Sequence, residues 1–331
     1  KFKNESLTTP PYENLYQNAF TKKNNKYNFI FEASSHALKQ DRIKNFPVNI
    51  AAITNISHDH LDYHKSIINY KNAKFKLFIK YLNSQGLAVI NSRLLFFDSL
   101  INILKKKKIN YIVYGKKDIF FSNRKQDIIL NIYKNRFKIK NNNFSEIDIQ
   151  NLECAIACCL KLNISATKIF KSIQKIKPPP GRSEIIHYKQ KTSTIIIDYA
   201  HTPDALKNIL ISYTLRNKKP NLVFGCGGDR DKAKRKLMGK TAFSLANKVF
   251  ITDDNPRNEN AKNIRKEIIK YCSTAKEIPS RRKAIYEAID KLEKNDILII
   301  AGKGHEKVQI IKNKYTKFDD AKIVMSYLRK L

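Results

Sequence analysis

The sequence predicts an α/β protein of two domains, the second of them built on a doubly wound parallel sheet. Short apolar, β-branched runs alternate with helical patterns through the second half of the 331-residue chain, which is typical of parallel sheets covered by helices. A Pro-Pro-Pro-Gly stretch at 178–181 divides the chain, because three prolines and a glycine cannot continue a helix. The predicted domains are residues 1–178 and 179–331.

The composition excludes two classes of protein. Hydrophobic residues make up 42% of the chain, more than a disordered protein carries. No apolar run approaches the roughly 20 residues that a membrane helix needs. The five cysteines form no CxxC pair, so we predict free, buried thiols and a cytoplasmic location.

The net charge of +35 raises the question of a nucleic-acid partner. Of the 64 basic residues, 13 are Arg, and the lysines are scattered among Asn and Ile in every segment. A phosphate-reading surface clusters its cations and favours Arg for two-pronged contacts. We therefore predict no nucleic-acid partner, while attraction of anionic small molecules stays open.

The first domain is predicted to hold three buried strands, at 27–33, 48–56 and 86–91. Glu32 and His60 are placed at the ends of the first two, where a carboxylate and an imidazole could hold a divalent cation, with Mg²⁺ favoured beside phosphate. A helical pattern around Lys74 follows, and from the residues alone this lysine could equally extend its ammonium to water. Segment 92–145 is only weakly alternating, as at 128–132 and 137–139, and 149–162 reads as a helix.

The second domain alternates strands and helices regularly, and a polar loop follows each of four strands. In a parallel sheet these loops meet at one edge, which is where ligands bind. The predicted strands are 194–197, 222–224, 249–252 and 297–300, and the predicted helices are 204–215, 236–246, 261–271, 282–292 and 320–331.

These four loops carry glycines and charges of both signs. Gly225, Gly227 and Gly228 would let the backbone approach a phosphate, although their spacing fits neither GxGxxG nor a full P-loop. Arginines and a lysine could clamp carboxylates or phosphates, and acidic residues supply the opposite sign. Such a mixture suits a zwitterion such as an amino acid. The charged residues are Arg230, Lys232, Asp254, Arg257 and Glu306.

A series of motifs, taken together, resembles the ATP-dependent Mur ligases of peptidoglycan synthesis over nearly the whole chain. In the first domain they are Glu32-Ala-Ser-Ser-His36, Asp59-His60-Leu61-Asp62-Tyr63-His64 and Tyr70-Lys-Asn-Ala-Lys74. In the second they are Gly181-Arg182, Asp198-Tyr-Ala-His201-Thr-Pro-Asp204, Gly225-Cys-Gly-Gly-Asp-Arg-Asp-Lys232, Asp254-Asn-Pro-Arg257 and Gly302-Lys-Gly-His-Glu306.

The resemblance implies a P-loop-NTPase-like central domain followed by a Rossmann-like C-terminal domain. It implies ATP and Mg²⁺ as cofactors, a monomer, and UDP-MurNAc-L-Ala-D-Glu and an amino acid as substrates joined through an acyl phosphate. Catalytic and Mg²⁺-binding positions match Glu32, His60 and Lys74, the last as a carbamate. Muramoyl-dipeptide contacts match Thr8, Thr9, Ser34, Gln40 and Arg42. The amino-acid pocket matches Arg230, Asp254, Asn255, Arg257, Gly302 and Glu306. Nucleotide contacts match Asn151, Arg182, Asp198, His201 and Lys232.

Within the family, the Asp-Asn-Pro-Arg form is associated with meso-diaminopimelate as the added amino acid. Diaminopimelate has a second carboxylate that Arg257 could grip in a bidentate pair, and lysine has none. The sequence departs from the family in lacking its Gly-Thr-Asn-Gly-Lys-Thr P-loop and its uridine-binding domain. We expect both upstream of Lys1 and expect the chain by itself to be inactive.

Three alternatives stay open at this point. One is a folylpolyglutamate-synthase-like ligase of the same superfamily, which the Thr8-Thr9-Pro10 loop and Asp254-Asn-Pro-Arg257 argue against. The second is a non-catalytic remnant, since the P-loop is missing. The third, from a different class, is a basic nucleic-acid-binding protein, which would bind DNA without regard to sequence and in a salt-sensitive way.

Overall fold

The computed structural model describes residues 8–20, 28–57, 59–124, 127–139, 144–176, 178–215 and 218–331. The chain forms two compact units. The first comprises 1–142 and 149–175, and the second comprises 143–148 and 176–331. Within the described ranges, no helix has both the length and the apolar composition to cross a bilayer. All five cysteines are free, with Cys154, Cys226 and Cys272 buried and the other two half-buried.

The first unit is organised around a six-stranded sheet in the order β1-β2-β3-β4-β5-β6. The first three strands are parallel, and β4 to β6 continue as an antiparallel meander. The strands are β1 (Val48–Ile53), β2 (Leu82–Asn91), β3 (Asn110–Tyr114), β4 (Ile119–Arg124), β5 (Asp127–Ile132) and β6 (Asn135–Ile139). The helices are α1 (Tyr12–Phe20), α2 (Ser35–Lys39), α3 (Leu61–His64), α4 (Ile67–Lys76), α5 (Phe97–Lys106), α6 (Glu146–Lys161), of which residues 149–161 belong to this unit, and α7 (Ala166–Ile173). A π-helical turn, Leu77–Tyr81, extends α4.

The predicted strand at 27–33 is wrong for residues 28–33, and Tyr27 lies outside the described residues. This segment has no strand ladder, although its aromatic residues are apolar enough for one. Phe29 and Phe31 pack their rings against Phe46, at centroid distances of 6.0 and 5.2 Å. Ring packing, and not backbone pairing with a neighbouring strand, therefore fixes this segment. Glu32 follows an irregular stretch and not a strand. The weak alternation at 128–132 and 137–139 belongs to the antiparallel strands β5 and β6.

The second unit contains the predicted doubly wound sheet, in the order β11-β10-β9-β12-β8-β7. All of its pairs are parallel except β7 with β8, an antiparallel edge that the sequence pattern did not reveal. The strands are β7 (Glu184–Tyr188), β8 (Ser193–Asp198), β9 (Asn221–Phe224), β10 (Val249–Ile251), β11 (Lys276–Glu277) and β12 (Ile297–Ala301). A hairpin of β13 (Val308–Ile311) and β14 (Lys314–Lys317) follows. The helices are α8 (Pro203–Ser212), α9 (Ala233–Leu245), α10 (Ala261–Ile269), α11 (Arg281–Asp290) and α12 (Asp320–Leu328).

Both faces of this sheet are covered, which explains the near-continuous apolar strands. On one face, residues such as Ile196 and Phe224 join a core with α8, α9 and α10. On the other, residues such as Ile197 and Phe250 pack with α11 and α12. The four central strands are neighbours and run in one direction, so the chain leaves all of them at the same edge. The predicted α/β fold with a doubly wound second half is confirmed.

Candidate functional site

The loops after β9, β10 and β12 in the second unit are packed against one another without room for side chains. A Cβ atom on Gly225 would collide with the carbonyl of Thr252, and one on Gly228 with the carbonyl of Pro256. Gly302 has φ +109°, and a Cβ there would lie 2.7 Å from the Asp254 carboxylate. Loop packing therefore requires glycine at these three positions. The phosphate approach suggested by the sequence for Gly225, Gly227 and Gly228 stays a prediction.

Three polar side chains from two of these loops form one hydrogen-bonded cluster. Asn255 Nδ2 donates to Glu306 Oε2 at 2.8 Å. Lys303 Nζ donates to Asn255 Oδ1 at 3.0 Å and to Glu306 Oε2 at 3.1 Å. Asn255 is 3% exposed and Lys303 is fully buried, whereas the Glu306 side chain is 29% exposed. The cluster therefore presents Glu306 at the surface and hides the lysine behind it.

Arg257 lies at the end of the β10 loop and is held by the hairpin β13–β14. Its backbone is left-handed, with φ 50°. The Arg257 N–H donates to Ile310 O at 3.1 Å, and its carbonyl accepts from Lys312 N at 2.7 Å. Its guanidinium Nη1 donates to Gly228 O at 2.8 Å. The hairpin thus fixes the backbone of the residue that the sequence singled out as a substrate selector.

The same edge of the second unit carries further predicted site residues. The carboxylate of Asp198 accepts from the N–H groups of Ser183 and Ala200, at 2.8 and 2.7 Å. Burial raises its pKa, and those two N–H groups oppose the shift. The guanidinium of Arg182 lies 4.6 Å from the centroid of the Tyr199 ring, a cation–π contact.

Three predicted residues stand at the margin of this edge. His201 Nδ1 lies 2.9 Å from Tyr199 O. Arg230 and Lys232 are exposed, with Lys232 Nζ 3.7 Å from Glu259 Oε2. Arg230 and Lys232 thus add two exposed cations to the loop after β9.

In the first unit, Lys74 is half-buried on α4, and its ammonium faces polar partners. Lys74 Nζ donates to Asn55 O at 3.1 Å and lies 4.9 Å from the centroid of the Tyr70 ring. Burial lowers the pKa of Lys74, and the negative charges of Asp59 and Glu32 act against that shift. The carboxylates of Asp59 and Glu32 therefore act electrostatically on this amine. Asp59 is not among the site residues predicted from the sequence.

The residues of the first unit that are predicted to bind a metal ion include His60. His60 is exposed and contacts its neighbour in the chain: the backbone N–H of His60 donates to Asp59 Oδ1 at 2.9 Å, and its ring Nε2 lies 3.4 Å from Asp59 Oδ2. Among the described residues, no group of three His, Cys, Asp or Glu side chains is assembled to hold a metal ion. A carbamate on Lys74 would change the charge of this side chain from positive to negative. Together with the carboxylates of Asp59 and Glu32 it would then offer the oxygen ligands that suit a divalent cation.

Thr9 joins two segments of the first unit. It is fully buried, its Oγ1 donates to Glu32 O at 2.7 Å, and it accepts from Ser34 N at 2.8 Å. Arg42 Nη1 donates to Thr9 O at 2.6 Å. These contacts bring together four of the predicted residues, the fourth being Glu32.

The remaining predicted residues of the first unit are exposed. Thr8 lies beside Thr9, and Gln40 Nε2 donates to Tyr63 Oη at 3.1 Å. Asn151 lies on α6. For these three, as for the other predicted site residues, the nucleotide and dipeptide roles stay predictions.

Comparison with known proteins identifies the family of both units. Residues 1–159 match the model of the Mur ligase middle domain, and residues 181–304 match that of the Mur ligase glutamate ligase domain. The chain belongs to the Mur ligase family. The predicted resemblance is confirmed by this match.

Two relatives of this Mur ligase chain are named UDP-N-acetylmuramoyl-L-alanyl-D-glutamate–2,6-diaminopimelate ligase. The one from Rickettsia typhi is 40% identical, covering 98% of this chain and 67% of the relative. The one from Buchnera aphidicola subsp. Baizongia pistaciae is 38% identical, with the same coverage of both. The chain thus spans about two thirds of the length of these curated relatives.

Solved structures show the same Mur ligase architecture. A structure of a protein of that same name is 31% identical, with a TM-score of 0.56, covering 90% of this chain and 64% of that one. MurF from Acinetobacter baumannii has a TM-score of 0.62 at 15% identity, and E. coli FolC has 0.60 at 18%. At such low identity the last two show the fold alone, so the likeness to FolC does not favour the folylpolyglutamate-synthase alternative.

Proposed function

We propose that the full-length protein carrying this Mur ligase chain adds meso-diaminopimelate to UDP-MurNAc-L-Ala-D-Glu, using ATP, in the cytoplasm and as a monomer. The observation that carries the proposal is the loop at Asp254–Arg257, fixed by the hairpin beside Asn255 and Glu306. It places a guanidinium and a carboxylate on one edge, which suits an amino acid with charges of both signs. Relatives at 40% identity carry the name of this activity.

The proposed reaction proceeds in two steps. The D-Glu side-chain carboxylate of the dipeptide takes the γ-phosphoryl group of ATP, which leaves as ADP. The amine of diaminopimelate then attacks the carbonyl carbon of this acyl phosphate. An amide bond forms, the carbon–oxygen bond to phosphate breaks, and the amine loses its proton.

Each predicted site residue of this chain has a proposed role in binding a substrate or a cofactor. Arg257 and Arg230 bind the carboxylates of diaminopimelate, and Asp254, Asn255, Gly302 and Glu306 form the remainder of its pocket. Thr8, Thr9, Ser34, Gln40 and Arg42 contact the dipeptide, and Asn151, Arg182, Asp198, His201 and Lys232 contact the nucleotide. Glu32, His60 and Lys74 as a carbamate would hold Mg²⁺, which offsets phosphate charge when bound. No nucleic acid or membrane takes part.

The proposal is tested by ligation with the full-length protein, offered diaminopimelate and lysine in competition. We expect diaminopimelate to be used in preference, because lysine lacks the second carboxylate. Arg257→Ala should raise the KM for diaminopimelate by about tenfold or more, since a charge-assisted bond contributes about 1.5–3 kcal/mol. The matched control is Arg282→Ala, an exposed arginine on α11. Preference for lysine, or an unchanged KM in an active Arg257→Ala enzyme, would show that the substrate assignment is wrong.

A further inference from the structure

We propose that Lys303 is a positioning residue of the amino-acid pocket, acting through Asn255 and Glu306; this inference rests on the proposed function. In the sequence, Lys303 stands between Gly302 and Gly304 after a predicted strand, and lysines are mostly exposed to solvent. The structure places it differently: its side chain is fully buried, and its ammonium points at two pocket residues.

The contacts of Lys303 account for two of the three donors of its ammonium group. Nζ donates to Asn255 Oδ1 at 3.0 Å and to Glu306 Oε2 at 3.1 Å, and Asn255 Nδ2 closes the ring of contacts by donating to the same Glu306 oxygen at 2.8 Å. Asn255 Oδ1 also accepts from Ile310 N of β13 at 3.0 Å. The buried cation therefore joins the β10 loop to the β12 loop, and Asn255 extends this connection to the hairpin.

The burial decides against a direct role in binding phosphate. A fully buried ammonium has lost its water, and this is tolerated only when paired groups replace that water. Lys303 has such groups in the protein itself. Exposed cations of the same edge, such as Arg230 and Lys232, are placed to meet an anionic ligand, whereas Lys303 is turned inward.

The consequence concerns how Glu306 is presented to the substrate. Both Lys303 and Asn255 engage Oε2, so this oxygen is directed inward. The Glu306 side chain as a whole remains 29% exposed, and with Oε2 engaged by the protein, Oε1 is the oxygen left to accept from the ammonium of an amino acid. Without Lys303, Asn255 and Glu306 keep their bond to each other and Asn255 keeps the bond from Ile310 N, but each loses one of the contacts that fix its orientation. Binding of diaminopimelate should then weaken, while binding of ATP and the UDP-linked dipeptide should not.

The experiment measures KM for each of the three substrates and kcat in the full-length protein. Lys303→Met should raise the KM for diaminopimelate by about tenfold, the equivalent of one charge-assisted bond, with the other two KM values and kcat within about twofold of wild type. The matched control, Lys307→Met, removes an exposed lysine four residues away that pairs with Asp319, and should change none of these values. In a double-mutant cycle, Glu306→Gln with Lys303→Met should cost little more than Glu306→Gln alone.

Other outcomes would overturn the inference. A uniform loss across all substrates, or additive effects in the cycle, would give Lys303 a purely structural role. If Lys303→Met does not fold, Lys303→Gln, which keeps a donor for Asn255, is measured instead, and failure of both to fold would likewise assign the residue to folding. Wild-type protein that does not ligate diaminopimelate would refute the proposed function itself, which separates that failure from failure of the role of Lys303.

Discussion

Arg257 combines a left-handed backbone with a guanidinium that is only partly engaged by the protein. Its Nη1 donates to Gly228 O, and the fork has further N–H groups for a ligand carboxylate. We predict that Arg257→Lys raises the KM for diaminopimelate, but less than Arg257→Ala does, because lysine keeps the charge and loses the planar two-pronged contact. Steady-state kinetics of the two variants in parallel provides the measurement. Equal KM values for Lys and Ala would mean that charge at this position contributes nothing.

Lys74 gives the second prediction at the residue scale. Burial lowers its pKa, so a larger fraction of the amine is neutral near neutral pH than for an exposed lysine, and only a neutral amine adds carbon dioxide. In protein equilibrated with ¹³C-bicarbonate we expect a carbamate carbonyl signal in the NMR spectrum that Lys74→Arg abolishes. Lys80→Arg, at an exposed lysine paired with Asp41, should retain the signal. A spectrum unaffected by Lys74→Arg would exclude the carbamate at this residue.

At the scale of the elements, the sheet of the second unit was the most predictable part. The run predicted as 249–252 is β10 at Val249–Ile251, and its neighbours agree similarly well, because strands buried on both faces have an unmistakable apolar composition. Prediction failed where pairing or burial depends on distant residues. The run predicted at 27–33 has the composition of a strand, but Phe29 and Phe31 pack by their rings against Phe46. Nothing in Gly-Lys-Gly reveals that Lys303 is buried. Those properties arise only from tertiary packing.

The hairpin β13–β14 gives a prediction about the support of the pocket. Gln309 Nε2 donates to Asp254 O at 2.8 Å, in addition to the backbone bonds at Arg257. Gln309→Leu should raise the KM for diaminopimelate a few-fold and leave that for ATP unchanged, because a lost hydrogen bond of this kind contributes about 1 kcal/mol. The control is Gln190→Leu, an exposed glutamine outside the pocket loops. Unchanged kinetics in Gln309→Leu would mean that the backbone bonds alone fix the loop.

The opposite edge of the same sheet is held by Asp296, just before β12. Burial alone would raise its pKa, but Lys218 Nζ, the Glu293 N–H and Asn221 Nδ2 outweigh burial, and the pKa is lowered. A carboxyl group whose pKa is lower in the folded than in the unfolded protein stabilises the fold at pH values above the pKa of the unfolded state. This contribution disappears as the pH falls through the pKa of the folded state. Asp296→Asn should therefore lower the melting temperature by about 2–4 °C at neutral pH.

The pH profile distinguishes this electrostatic effect from simple loss of packing. The difference in melting temperature between Asp296→Asn and wild type should shrink as the pH falls below about 4, where the unfolded carboxyl becomes protonated. The KM values should not change, because Asp296 lies at the start of β12 and the pocket loops follow its end. A difference that is constant from neutral to acid pH would contradict the predicted role of the charge.

At the scale of the whole molecule, the net charge of +35 on this chain predicts an effect of salt on the binding of the proposed substrates. Two of the three proposed substrates, ATP and the UDP-linked dipeptide, are strongly anionic, while diaminopimelate carries two positive and two negative charges. A positive field raises the local concentration of anions and is screened by salt, with a Debye length that falls from about 10 Å at 0.1 M to about 3 Å at 1 M. Raising salt over this range should therefore increase the KM of both anionic substrates more than that of diaminopimelate.

Sucrose serves as the control for this prediction, because it changes water activity without screening charge. An equal rise in all three KM values with salt would show that the lysines do not steer substrates. The same titration separates the ligase from a nucleic-acid-binding protein of the same charge. Sequence-indifferent DNA binding that persists at about 0.15 M salt would mean that the scattered lysines form a phosphate-binding surface after all. Several of the 13 arginines are paired inside the protein, such as Arg235 with Glu259 and Arg281 with Asp320, and are therefore not available to bind phosphates. We therefore expect DNA binding to vanish at that salt concentration while ligation continues.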